Sequence, residues 1–256
     1  MSTSLGFVRS DQFYPGSHTR QQTQQTHTQS FEIQMERQSV PIDWVRRTAK
    51  ISVVAQLVFG IFSLVGFVKP VDSKDSILTV LLIFDLVVQF VELVFYVIFV
   101  FYKQLDIAFR YIDWFITTPT MLLSLIVFTE YQHSSSKITL LSFLQEYKHE
   151  VSIILTLNAF TLFIGLLSEL KFIRQSTAVC FGFVPFLFSF VFIYLTFAHK
   201  SLIGIVLTTL VLLIWSLYGI AALFDDRIKN ISYNCLDIVS KNLYGVFVAV
   251  YIWVAV

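Results

Sequence analysis

Charge is scarce in this chain: only 14% of its 256 residues are Asp, Glu, Lys or Arg, and the formal net charge is +1. A near-neutral balance lacks the basic surplus that a nucleic-acid partner requires. Cysteine is almost absent. Cys180 and Cys235 both fall in apolar segments, where they read as small buried hydrophobes, since a disulfide framework needs paired cysteines in loops. The few histidines (His18, His27, His133, His149 and His199) lie outside the apolar cores and show no metal-ligand spacing, so no metal is expected. The N-terminal stretch also lacks the apolar core of a cleavable signal peptide. What the chain does have is apolar side chains, 56% of the total, with a mean hydropathy of +0.73. That composition belongs to integral membrane proteins.

Residues 1–43 form a polar N-terminal tail. Its first forty residues are rich in Gln, Thr and Ser and have no apolar period, so disorder is expected there. Residues 44–256 read as one domain of seven spans, at about 44–68, 76–102, 105–129, 150–170, 174–198, 201–224 and 231–256. Each approaches or exceeds the roughly 20 residues a helix needs to cross a bilayer. Polar breaks separate them at Lys69-Pro70, Lys103-Gln104, Glu130 to Glu150, Glu169 to Arg174, His199-Lys200 and Asp225 to Asn230. Helices are the only way such segments can satisfy their backbone in lipid, so the expected fold is an all-α, seven-helix membrane bundle. An odd number of spans puts the termini on opposite sides, and the distribution of Lys and Arg favours an inner N-terminus.

Lys241 lies deep in the last span, too far from either end to snorkel to water. It reads as the one lysine buried well within a span. Asp237, four residues earlier, lies on the same helix face and can neutralise it. The third span offers partners: Arg110, Asp113, Thr117 and Ser124 fall on one face. Two carboxylates, one Arg and one Lys make a compact, near-neutral cluster, and an ion network that only fixes helix packing is the competing explanation. On the second span, Asp85, Gln89, Glu92 and Tyr96 recur as a polar stripe that must face the bundle interior or water. Asn230-Ile-Ser232 is a glycosylation sequon in an expected outer loop, although such short matches are often incidental.

RYxDWxxTTP on the third span, combined with LDxxxK on the last, resembles the microbial rhodopsins, and the resemblance extends from Trp44 to Val256. It implies a bundle enclosing all-trans retinal, bound as a Schiff base on Lys241, with Asp113 and Asp237 as counterions and Arg110 holding a water network beneath them. It further implies that Trp114 and Trp215 sandwich the polyene. Thr118, Met121 and Tyr218 would line the pocket, and Gly165 would sit beside the ionone ring. The resemblance implies an outer N-terminus and an inner C-terminus, and on this point it is preferred to the charge distribution. Such a cofactor needs an enclosed, mostly apolar slot with a few polar groups.

The pattern departs from that of proton pumps. Ser124 stands where such pumps carry a second carboxylate, and a serine stores no proton at a useful pH. Gly219 and Ala222 replace a usual proline and a ring-side tryptophan, which should loosen the pocket. Glu92 and Asn242 resemble two members of the central gate of channelrhodopsins, with Ser52 as a third, and the Asp113, Thr117, Ser124 motif looks most like rhodopsins of algal giant viruses, some of which conduct cations. Simple polar contact between helices without conduction is the competing reading. A light-gated cation channel is therefore expected, along the path of Ser52, Asp85, Gln89, Glu92 and Asn242. The alternative is an outward light-driven proton pump with Asp85 as internal donor. Neutralising Glu92 should change conduction and leave the chromophore band nearly in place. No enzymatic activity is expected. The partners are retinal, the lipid bilayer and the transported cations or protons, with homo-oligomerisation left open.

Overall fold

The computed structural model describes residues 42–101 and 107–256. The expected tail, apart from its last two residues, and the break at Lys103-Gln104 lie outside the described residues. Among the described residues there are eight α-helices and no strand: α1 (Ile42–Val65), α2 (Ile77–Phe101), α3 (Arg110–His133), α4 (Leu140–Glu146), α5 (Lys148–Glu169), α6 (Gln175–Thr196), α7 (Leu202–Ala221) and α8 (Asp226–Ala255). All except α4 are long and apolar enough to cross a membrane.

Several helix ends and one element differ from the sequence reading, among them the start of α3 at Arg110 rather than 105. α3 continues to His133, past the expected end at 129, because Glu130 at the apparent break is paired with Lys200 at 2.8 Å and bonded by the Tyr147 hydroxyl. α8 begins at Asp226, five residues before the expected 231. The Asp225 carboxylate caps it by accepting from the backbone N–H groups of Arg227 and Ile228, both at 3.1 Å. The polar stretch between the third and fourth spans holds the short α4. There Thr139 and Ser142 form a reciprocal cap, and Phe143 is fully buried as the anchor. The sequon is not in a loop: Asn230 lies in the first turns of α8, where its amide donates to the Asp226 carbonyl and its oxygen accepts from Arg110.

The helices close on themselves. α1 packs against α2 and α8, and α2 also against α3 and α8. α3 meets α5 and α7, α6 lies between α5 and α7, and α7 returns to α8. Toward the His133 end the interior is apolar, built on Leu78, Leu81, Leu82, Leu122, Leu125, Ile126, Phe128, Val248 and Ile252. Large apolar side chains such as Ile61, Phe90, Phe181 and Leu195 are exposed on the outside, where lipid replaces a protein neighbour. Cys180 and Cys235 belong to this outer surface and are unpaired, so they are not the buried hydrophobes expected from their apolar surroundings.

Candidate functional site

Lys241 is 3% exposed, and its position on α8 brings three carboxylates to it. Its Nζ donates to Asp113 Oδ2 at 2.7 Å, and lies 3.5 Å from Glu92 Oε1 and 3.7 Å from Asp237 Oδ1. Arg110, one turn before Asp113 on α3, reaches Asp237 Oδ2 at 3.5 Å. Asp237 is held further by the hydroxyls of Tyr96 and Tyr218, which donate to it at 2.7 and 2.8 Å. The guanidinium of Arg110 also donates to Tyr96, Asn230 and Asn234, and stacks over Phe99 at 4.5 Å. Charge-assisted bonds of this kind fix orientation in a low-dielectric interior.

Glu92 changes the reading of this cluster. Sequence reasoning assigned it to a gate with Ser52 and Asn242. In the structure it joins the lysine instead, so three carboxylates face two cations. Ser52 donates to the Thr48 and Asn234 carbonyls at 3.1 and 3.3 Å, and the Asn242 amide donates to the Ile238 carbonyl at 2.9 Å. The three therefore form no hydrogen-bonded gate. The reason is spacing: Ser52 is tied at Asn234, and Asn242 is eight residues on, about 12 Å along the helix.

The remaining residues of the Asp113, Thr117, Ser124 motif share the buried face of α3 but not one hydrogen-bonded string. Thr117 donates to the backbone carbonyl of Asp113 at 3.0 Å, and Ser124 donates to the Tyr244 hydroxyl at 3.1 Å. Asp85 accepts from Ser63 at 2.7 Å and lies against Gly245, where an added Cβ would run into its carboxylate. Gln89 is buried beside them with its amide unpartnered.

A cavity opens beside Lys241, between α3, α5, α6, α7 and α8. Trp114, Thr118, Met121, Gly165, Trp215 and Tyr218, all singled out from the sequence, line it together with Lys241. Trp114 packs edge-on against Tyr111, Tyr218 and Tyr233, and Trp215 against Phe190. Thr118 is locked by accepting from Asn158 at 2.8 Å. A Cβ at Gly165 would come within 2.6 Å of the Tyr111 hydroxyl, so glycine there lets Tyr111 pack against α5. Gly219 does not loosen the wall as expected, because the Phe183 ring fills the space beside it. An apolar slot with aromatic walls and a buried amine at one end fits a long polyene aldehyde that condenses with that amine.

Four structural residues escaped sequence reasoning: Ser63, Asn234, Tyr244 and Lys229. Lys229 read as part of a flanking loop, yet it is fully buried, bonded to Glu169 at 2.9 and 3.1 Å and to Asp226 at 3.2 Å. The Asp226/Lys229 spacing of i, i+3 was the available signal. Lys241 is thus not the sole buried lysine.

Comparison with known proteins agrees with this geometry. The family model described as bacteriorhodopsin-like protein matches residues 47–255. No curated protein sequence matches the chain. Among solved structures, the viral rhodopsin OLPVRII aligns with a TM-score of 0.71 at 21% identity, covering 81% of this chain and 96% of its own. A blue light-absorbing proteorhodopsin from Med12 aligns at 0.63 and 17%, covering 82% and 96%. The light-driven proton pump LR (Mac) from Leptosphaeria maculans aligns at 0.63 and 15%, covering 83% and 96%. At these identities the likeness concerns the fold. The family match over most of the chain, the seven spans and the lysine at the end of an aromatic slot lead to one conclusion: this chain is a multi-pass membrane protein of the bacteriorhodopsin-like family, the microbial rhodopsins, which bind retinal as a Schiff base on a lysine.

Proposed function

We propose that this rhodopsin is a light-gated cation channel whose path follows the seam between α1, α2 and α8. The observation that carries this reading is the run of buried polar side chains along that seam. It passes from Ser52 and Asn234, with the half-buried Thr48 at its mouth, through Gln56, Glu92, Gln89 and Asn242, to Ser63 and Asp85. Polar contacts between helices without transport use such groups too, but this row runs beside the lysine cluster and touches it at Glu92, where a charge change can reach it. Beyond Asp85 the seam gives way to the buried apolar Leu78, Leu81, Leu82 and Val248, which in this reading close the path in the dark.

In this reading the N-terminus lies outside, residues 1–43 precede the 44–256 rhodopsin domain as a tail, and the Arg110 end faces outward. Retinal, when bound at Lys241, supplies the light-driven isomerisation. The chain's residues supply the response. Asp113 Oδ2 is placed to take the proton that Lys241 Nζ now shares with it. Asp237, clamped by Tyr96, Tyr218 and Arg110, stays a fixed charge. Glu92 then feels any change in charge at Lys241 from 3.5 Å and passes it to the seam. An outward proton pump is the second reading. The short Lys241–Asp113 contact favours it, with Asp85 storing the inner proton that Ser124 cannot hold.

Whole-cell photocurrents across a range of voltages separate the two. A current that reverses with the cation gradient supports the channel, and one that stays outward at every voltage supports the pump. Glu92→Gln should lower cation conductance or alter its selectivity. It should also shift the visible band, because Glu92 lies against the lysine; the expectation that the band would stay nearly in place does not survive this geometry. An outward current indifferent to Glu92→Gln would sink the channel reading. Gly165→Ala offers a separate check on the slot: the new methyl displaces the Tyr111 hydroxyl, so retinal uptake should slow and the band should move by a small amount. Uptake and band identical to wild type would mean that the ring end of the polyene lies elsewhere.

A further inference from the structure

The seam contains a concentration of buried polar atoms that the protein itself leaves unanswered. Both amide atoms of Gln56 and the Asn242 Oδ1 have no hydrogen-bond partner, Gln89 has only the Asp85 carboxylate nearby, and Glu92 has only the 3.5 Å ion pair of one oxygen with Lys241; all four residues are at most 3% exposed. Buried polar groups in native proteins are almost always satisfied, so four neighbouring exceptions point to something held between them.

Helix register places them together. In α1, Ser52 meets Asn234, and eleven residues on Ser63 meets Asp85; in α8, Gly245 lies against Asp85, also eleven residues after Asn234. α1 and α8 therefore run in step, closed by one contact at each end about 16 Å apart. Measured from these contacts, Gln56 lies four residues beyond Ser52, and Glu92 seven residues from Asp85 on the antiparallel α2, which brings the two level. Gln89 and Asn242 follow within about one further turn. The unpartnered groups thus lie in one short compartment between two polar closures.

The electrostatics say what the compartment needs. Glu92 is faced by Lys241 and Asp237 from α8 and by Asp113 and Arg110 from α3, with Tyr96 and Asp85 on its own helix; α1 contributes only Ser52, Gln56 and Ser63. With Glu92 ionised, three carboxylates against two cations leave one negative charge in the cluster nearest the compartment; with a proton on Glu92 the cluster is already balanced. One positive charge restores neutrality, and two overshoot it. The available ligands are hard oxygens, a carboxylate and three amide carbonyls, a set suited to hard cations in general, and the charge count is what favours a monovalent one. The amide N–H groups of Gln56 and Gln89 need acceptors as well, which water supplies.

We infer that Gln56, Gln89, Glu92 and Asn242 form a binding site for one partly hydrated monovalent cation, held between α1, α2 and α8 in the closed state. The site deepens the channel reading and rests on it for its role, but its occupancy in the dark can be measured without any current. A proton on Glu92 answers the same charge, so acidification should weaken cation binding.

The test uses the purified, retinal-bound protein in the dark. NaCl or KCl replaces choline chloride at constant ionic strength, and the visible band is recorded at mildly alkaline pH. A saturable band shift is expected, because a cation beside Glu92 alters the charge 3.5 Å from Lys241. Gln56→Leu and Gln89→Leu, which remove unanswered polar atoms and so should fold, are expected to weaken the apparent affinity by roughly tenfold or more. No saturable shift, or the same shift with choline, overturns the site and leaves water alone in the compartment. Saturation by CaCl2 but not by NaCl or KCl overturns the monovalent assignment. If a leucine variant fails to take up retinal, the wild-type titration still decides. The two proposals fail separately. A reversing photocurrent without a dark shift rejects the site alone. A saturable dark shift with a strictly outward photocurrent rejects the channel alone.

Discussion

Lys241→Ala should yield a membrane-inserted protein with no visible absorption band after all-trans retinal is added. The argument starts from the amine. Lys241 lines the aromatic slot, and it is the amine there that can condense with an aldehyde. The other buried lysine, Lys229, is bound to Glu169 and Asp226, twelve residues earlier on α8 and about 18 Å along it. Lys229→Met therefore serves as the control and should keep the band. Removing Lys241 also leaves three carboxylates facing Arg110 alone, and stranding a buried charge typically costs about 3–5 kcal/mol. The variant should accordingly melt at a lower temperature than wild type, unless one of the carboxylates takes up a proton. Helix content by circular dichroism and detergent-resistant folding distinguish a missing chromophore from a missing fold. An unchanged visible band in Lys241→Ala, with Lys229→Met bleached, would move the attachment site to Lys229.

The architecture was largely legible in the sequence because lipid imposes a simple rule on it. Every segment of about 20 apolar residues had to be a helix, and no tertiary detail could override that. The errors came at the ends, where local chemistry decides. Asp225 capped α8 early, and the Thr139/Ser142 cap built α4 out of a stretch that composition marks as loop. The slot was legible through the resemblance: RYxDWxxTTP and LDxxxK pointed to Trp114, Thr118, Met121 and Lys241 as pocket residues, and these line the cavity, whereas an aromatic stripe by itself reads as ordinary packing.

The register between helices was not legible, and that is where the site reading went astray. Periodicity tells which face of α2 Glu92 occupies, but not how far α2 has slid along α1 and α8. A slide of one turn decides whether Glu92 reaches Ser52 or Lys241, and Ser52 and Asn242 stand too far apart for it to bridge both. The register is set by contacts such as Ser63–Asp85 and Tyr96–Asp237, which join residues 22 and 141 positions apart. The same blindness hid Lys229 and Glu169, sixty residues apart, each of which looks like a solvated end of its own span.

Glu92 also changes what the loss of Asp113 should do. Asp113→Asn removes the carboxylate that contacts Lys241 at 2.7 Å and leaves Glu92 at 3.5 Å and Asp237 at 3.7 Å. The charged form of the retinal-linked nitrogen is favoured by each negative neighbour, so taking the nearest one away disfavours it. The sign follows directly. The protonated, long-wavelength form should be lost at lower pH in Asp113→Asn than in wild type, and while protonated it should absorb at longer wavelength. One unit of midpoint corresponds to about 1.4 kcal/mol, and losing a buried contact this close should move the midpoint by more than one unit. Asp237→Asn should move it less, because the Asp237 charge is already shared with Arg110, Tyr96 and Tyr218. The double variant Asp113→Asn with Glu92→Gln should move it further than either alone, since only the shared Asp237 then remains. Titrating the visible band in wild type, the three single variants and the double variant gives the ranking. Coincident midpoints for wild type and Asp113→Asn would remove Asp113 as the principal counterion, and a larger displacement in Glu92→Gln would transfer that role to α2.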